Sequence, residues 1–172
     1  MTPASRRFGI VPKLVVCAVA AALISASLVG TAAANQRRTA SGSFKFVSDT
    51  KTPIGQVGTD QFVYETASIS YAGGLTGVVN ATDVIVAHSD GSFDGYGTET
   101  CQSCKLGGRT GSFSAVFEFH GTQAGITGQE FFTGGSGGLV GLRGGGPFQG
   151  GPAGNTYSYM YSFGHHHHHH WH

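Results

Sequence analysis

Glu118 and His120 stand two residues apart in the run 112–120, so on an extended chain both side chains share one face. A carboxylate beside an imidazole inside an apolar enclosure can relay a proton, with both groups retuned by desolvation and mutual charge. The opposite face of the run carries Phe113, Ala115, Phe117 and Phe119. The same pair on an outer surface would be a solvated rim contact, and the sequence leaves both placements open. Glu130, Glu65, Asp60 and Asp83 fall in or beside other strand-like runs, and Tyr64 and Tyr71 offer hydroxyls to the same enclosure. The final run alternates Asn155, Tyr157, Tyr159, Tyr161 and Phe163 on one face. The candidate catalytic set is therefore Glu118, His120, Asn155 and Tyr157, with Tyr64, Glu130 and Tyr159 as candidate ligand contacts.

Other chemistries find little footing. No G-x-S-x-G elbow is present, and outside the tail only His88 and His120 are histidines, without convergent metal-ligand spacing. No metal and no organic cofactor is expected. Residues 134–146 are dense in glycine, but no lysine, helix start or downstream acid completes a phosphate-binding fingerprint. Cys101 and Cys104 form a lone C-x-x-C. With no second pair to complete a zinc site, the expectation is a local disulfide pinning a loop over 101–109.

The elements that must carry these side chains are strands. From residue 35 onward no window has a helical period; short β-rich runs alternate with Gly, Asp, Ser and Asn clusters. The runs are 41–47, 61–71, 75–88, 92–100, 112–120, 125–133, 138–148 and 155–163, with Ser89-Asp90-Gly91 as a hairpin turn. Eight strands predict an all-β fold, a single antiparallel barrel just wide enough for one small ligand.

The flanks differ from this body. A basic start with Arg6 and Arg7, an apolar stretch over 14–29 and Ala32-Ala33-Ala34 have the form of a secretory signal peptide cleaved after Ala34. The apolar stretch is shorter than the roughly 18–20 residues a bilayer span needs. The expected organisation is thus 1–34 leader, 35–163 barrel and 164–172 a histidine-rich tail of purification-tag type, with a secreted or cell-envelope location. Without the leader, seven Lys and Arg face nine Asp and Glu. That balance speaks against nucleic acid and against an anionic membrane as partners.

The order LGGRTGSF (106–113), HGT (120–122) and TGGSGGLVGLRGGG (133–146) resembles the allene oxide cyclase barrel superfamily, a calycin-like fold. Its small secreted bacterial members, including mycobacterial phenazine demethylases, are similar in plan. The resemblance implies a homotrimer and a flat hydrophobic heteroaromatic such as pyocyanin inside the barrel. It also implies loss of an N-methyl group without cofactor or metal. That family places an acid on the last strand ahead of a tyrosine, where this chain has Asn155 before Tyr157. A lipocalin-like binding protein without turnover, or a cyclase or isomerase, are the alternatives.

Overall fold

The structure, a computed structural model, describes residues 36–164; the expected leader and the histidines of the tail lie outside them. Eight strands follow one another: β1 (Arg38–Val57), β2 (Asp60–Gly73), β3 (Leu75–Ala87), β4 (Phe93–Leu106), β5 (Arg109–Thr122), β6 (Gly125–Gly137), β7 (Leu142–Gly150) and β8 (Asn155–Phe163). Each pairs antiparallel with the next, and β8 returns to β1 to close a barrel. No helix occurs among the described residues. The all-β expectation and the strand count hold.

Boundaries differ in instructive ways. β1 runs to Val57 rather than to residue 47, because its polar stretch after Val47 pairs with β2 across bulges at Phe46/Ser48 and Pro53/Gly55. The segment 101–109 is not a loop. Strand β4 continues to Leu106, and only Gly107 and Gly108, both at positive φ, make the turn to β5. The sulfurs of Cys101 and Cys104 are bonded within β4, where the register against β5 slips between them. The disulfide therefore staples a bulge in a strand. The run 138–148 splits into a turn over 138–141 and β7.

Inward side chains give the barrel two different halves. At the end where β1 and β5 begin, Leu75, Leu106, Leu139 and Leu142 are fully buried and stop the bore. Above them Phe113, Phe132, Tyr159 and Tyr161 fill the section, with Phe113–Phe132 and Phe132–Tyr159 edge-to-face at 5.3 and 5.5 Å. Toward the other end the filling gives way to a cavity. The glycines of β7 serve this packing: Gly145 has φ 156°, and a Cβ there would overlap the carbonyl oxygen of Glu130 on β6. Only a residue without Cβ lets β7 approach β6 that closely.

Candidate active site

The strand alternation that predicts the core also selects what enters the cavity. On β5 the inward face is Phe113, Ala115 and Phe117, with Phe119 half-buried beyond them, so Glu118 and His120 project outward and are exposed. The proton-relay placement of that pair is corrected: four apolar side chains on one face of a strand claim the interior, because burying them outweighs burying a carboxylate and an imidazole. His120 Nδ1 lies 2.8 Å from Asp94, whose other oxygen meets His88 Nε2 at 3.0 Å, while His88 Nδ1 reaches Asp60 at 3.2 Å. These four residues form a solvated chain along one rim. Tyr64 is likewise corrected: it alternates with the inward Glu65 and sits exposed on the outside of β2.

The last strand splits by residue. Tyr157 is inward and buried, yet its hydroxyl is committed to backbone: it accepts from the Leu75 N–H at 2.8 Å and lies 3.0 Å from the Leu75 carbonyl oxygen. A group so held closes the β2–β3 turn, and its catalytic assignment is replaced by a structural one. Asn155 is half-buried and donates from Nδ2 to the Phe44 carbonyl at 3.2 Å, so it ties β8 to β1 rather than serving as an acid. Tyr159 and Glu130, the other candidate ligand contacts, are fully buried and meet behind the cavity wall, with the Tyr159 hydroxyl donating to Glu130 Oε2 in a short hydrogen bond.

Around that pair lies a polar network that sequence reasoning only half assembled. The Tyr71 hydroxyl is 3.3 Å from Glu130 Oε2, 3.3 Å from Glu99 Oε2 and 3.3 Å from the Tyr159 hydroxyl. Tyr71 has one proton to donate among these acceptors. Burial, and after it the charge of Glu130, hold Glu99 well above the usual carboxylate range. Burial also pushes Glu130 up to about 7 despite its two tyrosine donors. Both carboxyls thus hold their protons more tightly than a solvated glutamate does, and Glu130 titrates near neutrality. Glu99 escaped the sequence reading because it sits between two threonines near a presumed strand end. Its parity with Phe93, Gly95, Gly97 and Cys101, opposite Asp94, Tyr96 and Thr98, was the available signal.

A second polar row crosses the barrel wall: Lys51 pairs with Glu65, Glu65 with Asp83 and Asp83 with Gly97 in register. Gly97 leaves the volume that Asp83 uses, since a Cβ there would overlap the Asp83 side chain. Lys51 Nζ reaches Glu65 at 2.7 Å and Asp49 at 2.6 Å. Asp83 receives no such partner: its Oδ2 is buried with no hydrogen bond. Burial first, and the Glu65 charge second, raise Asp83 to about 7, with Lys51 pulling the other way.

Asp83, Glu99 and Tyr71 line a cavity of about 250 Å³ with Phe44, Phe117 and Phe148. Lys51 stands at the same lining as its one cation among the described residues. The aromatic rings are mutually braced: Phe44 contacts Phe148 at 6.2 Å and Tyr71 at 5.7 Å, and Phe117 meets Phe148 at 6.5 Å. A broader furrow of about 890 Å³ crosses the outer face past Tyr96, Glu118, His120 and Gln129. It is open to solvent, so its charges work in high dielectric. The inner cavity, which opens at the far end of the barrel and sets buried carboxyl groups in an apolar wall, is the candidate site.

No family model matches this chain, and no curated relative does. Among solved structures, a protein of unknown function from the DUF3224 family of Shewanella oneidensis MR-1 is similar, with TM-score 0.63 and 20% identity. The match covers 76% of this chain and 100% of that one. A likeness at that identity shows the shared all-β fold.

Proposed function

We propose that the barrel binds a small, flat heteroaromatic compound in the inner cavity and exchanges a proton with it. The observation that carries this reading is a cavity walled by Phe44, Phe117 and Phe148 whose polar wall includes Asp83, raised to about 7, and Glu99, which burial holds well above the usual carboxylate range. The ring faces supply apolar contact to a planar ligand. The bare Asp83 Oδ2 offers a hydrogen-bond acceptor that a ring N–H would satisfy. A carboxyl that titrates near neutrality moves a proton at small free-energy cost in either direction. Glu130 and Tyr159 lie behind Tyr71, so they can replenish a proton at Glu99 through the Tyr71 hydroxyl. The cavity, at about 250 Å³, falls just below ordinary ligand sites, which run about 300–1,000 Å³. That favours a compact ring system over a lipid.

Phenazines are the specific class put forward, with N-demethylation as the turnover to look for: water adds to the methyl carbon, which leaves as formaldehyde, while the ring keeps the electron pair and is released as the dihydro form of the hydroxyphenazine. Pyocyanin is the probe, because its colour follows the state of the ring nitrogens. Bound at pH 7, it is expected to shift its visible spectrum. Asp83→Asn and Glu99→Gln are each expected to weaken binding about tenfold, the loss of one hydrogen bond in a dry site. A spectrum that evolves with time reports turnover. A shift without evolution means a binding protein, and no shift at saturating protein overturns the reading.

A further inference from the structure

Seven cations and nine acids of the barrel nearly cancel, yet they are separated along the barrel axis. Arg37 and Arg38 enter β1, Lys105 and Arg109 flank the β4–β5 turn, and Arg143 follows the β6–β7 turn. All five lie at the leucine-plugged end, and all are exposed. The chain segments that form this end, 36–42, 72–78, 102–112, 134–146 and 158–164, contain no Asp or Glu. None of the five makes a salt bridge among the described residues; the bridges there involve only Lys51, His88 and His120 as cations. The acids lie elsewhere, with Asp49, Asp60, Asp90, Asp94 and Glu118 on the outside away from this end and Glu65, Asp83, Glu99 and Glu130 inside.

We propose that the plugged end docks on an anionic lipid surface. Like charges collected on one end face, with their counter-charges held at the far end, create a local positive field that the summed charge conceals. The cations stand around the rim on β1, β4, β5 and β7, spread over a face rather than tracked along a groove. That arrangement suits a planar array of headgroups better than a linear polyanion. Two further features fit a bilayer interface. Val140 protrudes 41% exposed from the β6–β7 turn among these cations, where an apolar side chain can enter the headgroup region. The Arg109 guanidinium lies 4.1 Å over the Phe163 ring, which braces it at the end face. Docked this way, the barrel would point its open end, and so the candidate cavity, toward the aqueous side. The inference stands apart from the cavity reading and survives its failure.

The test is co-sedimentation of the barrel from Asn35 to Gly164, free of the histidine tail, with vesicles. These strands close on one another without the flanking segments. Vesicles of equimolar phosphatidylglycerol and phosphatidylcholine are expected to bind the protein, and pure phosphatidylcholine is not. Binding should weaken steeply as salt shortens the screening length. Each basic residue near a lipid surface is worth roughly a fivefold factor in partitioning. The variant R37Q/R38Q/K105Q/R143Q, which leaves the braced Arg109 in place, should therefore lose binding by at least about tenfold. Lys45→Gln, away from the end face, should not. Equal binding to both vesicle types, salt-independent binding by the unmodified barrel, or binding to soluble heparin but not to vesicles would each overturn the proposal. The salt series needs no variant, so a variant that fails to fold does not shelter it.

Discussion

The Tyr159 hydroxyl donates to Glu130 Oε2 at the centre of the filled half of the barrel, where both side chains are at most 1% exposed. A carboxyl group in such a place is tolerated because two tyrosine hydroxyls face one oxygen and its proton affinity is raised by burial. Tyr159→Phe removes the nearer donor without changing the packing. It should cost about 1–3 kcal/mol in stability and raise the proton affinity of Glu130 further. Urea unfolding gives the first quantity, and titration of the Glu130 carboxyl carbon by NMR gives the second.

Stability should fall as pH rises from about 4 to 8. Asp83, Glu99 and Glu130 all bind protons more tightly folded than unfolded. Their stabilisation is complete below their unfolded values and is lost as pH climbs through the folded ones. For Asp83, raised from 3.8 to about 7, the loss is on the order of 2–4 kcal/mol. His88, whose proton affinity the hydrogen bonds to Asp94 and Asp60 raise, adds in the same direction. Melting temperatures across this range should decline, and Asp83→Asn should flatten the decline.

Lys51 tempers the cavity charge. Lys51→Met leaves Glu65 facing Asp83 without a counter-ion, so the Asp83 proton affinity should rise further and ligand protonation should shift to higher pH. A change in the Asp83 titration toward lower pH would exclude this account of the row.

Reducing the Cys101–Cys104 bond should matter little for stability. A ring this small removes little unfolded-state entropy, no more than about 2 kcal/mol. Thermal melts with and without reductant should differ by less than about 10 °C.

Gly145→Ala probes the close approach of β7 to β6. The added methyl would overlap the Glu130 carbonyl oxygen at a positive φ, so a loss of about 2–4 kcal/mol is expected. If the variant is as stable as the parent, β7 is not held against β6 as described.

The fold was legible in the sequence because its signal is local. Alternation in Phe113–Phe119 and Tyr157–Phe163 marks the strands and groups the side chains by face, and the D-G pair at 90–91 marks a turn. The site was less legible because a closed barrel gathers residues far apart in the chain. Glu99 and Glu130 meet at Tyr71 from three strands, and no spacing along the chain announces that. For Glu118 and His120 the sequence left both faces open, and the buried phenylalanine stripe opposite them decides it for the outside. Tyr64 went astray by one residue, which in a strand means the opposite face. The inward placement of Glu130 and Tyr159 was legible because each alternates with outward partners around large apolar neighbours, but their position behind the cavity wall was not.

The central claim is that chemistry happens inside the barrel, and a crystal structure with pyocyanin bound tests it most directly. The account predicts a planar ligand between Phe44, Phe117 and Phe148, with a ring heteroatom in hydrogen-bond reach of Asp83 or Glu99. A ligand seated in the outer furrow against Glu118 and His120, with only water in the cavity, would contradict it.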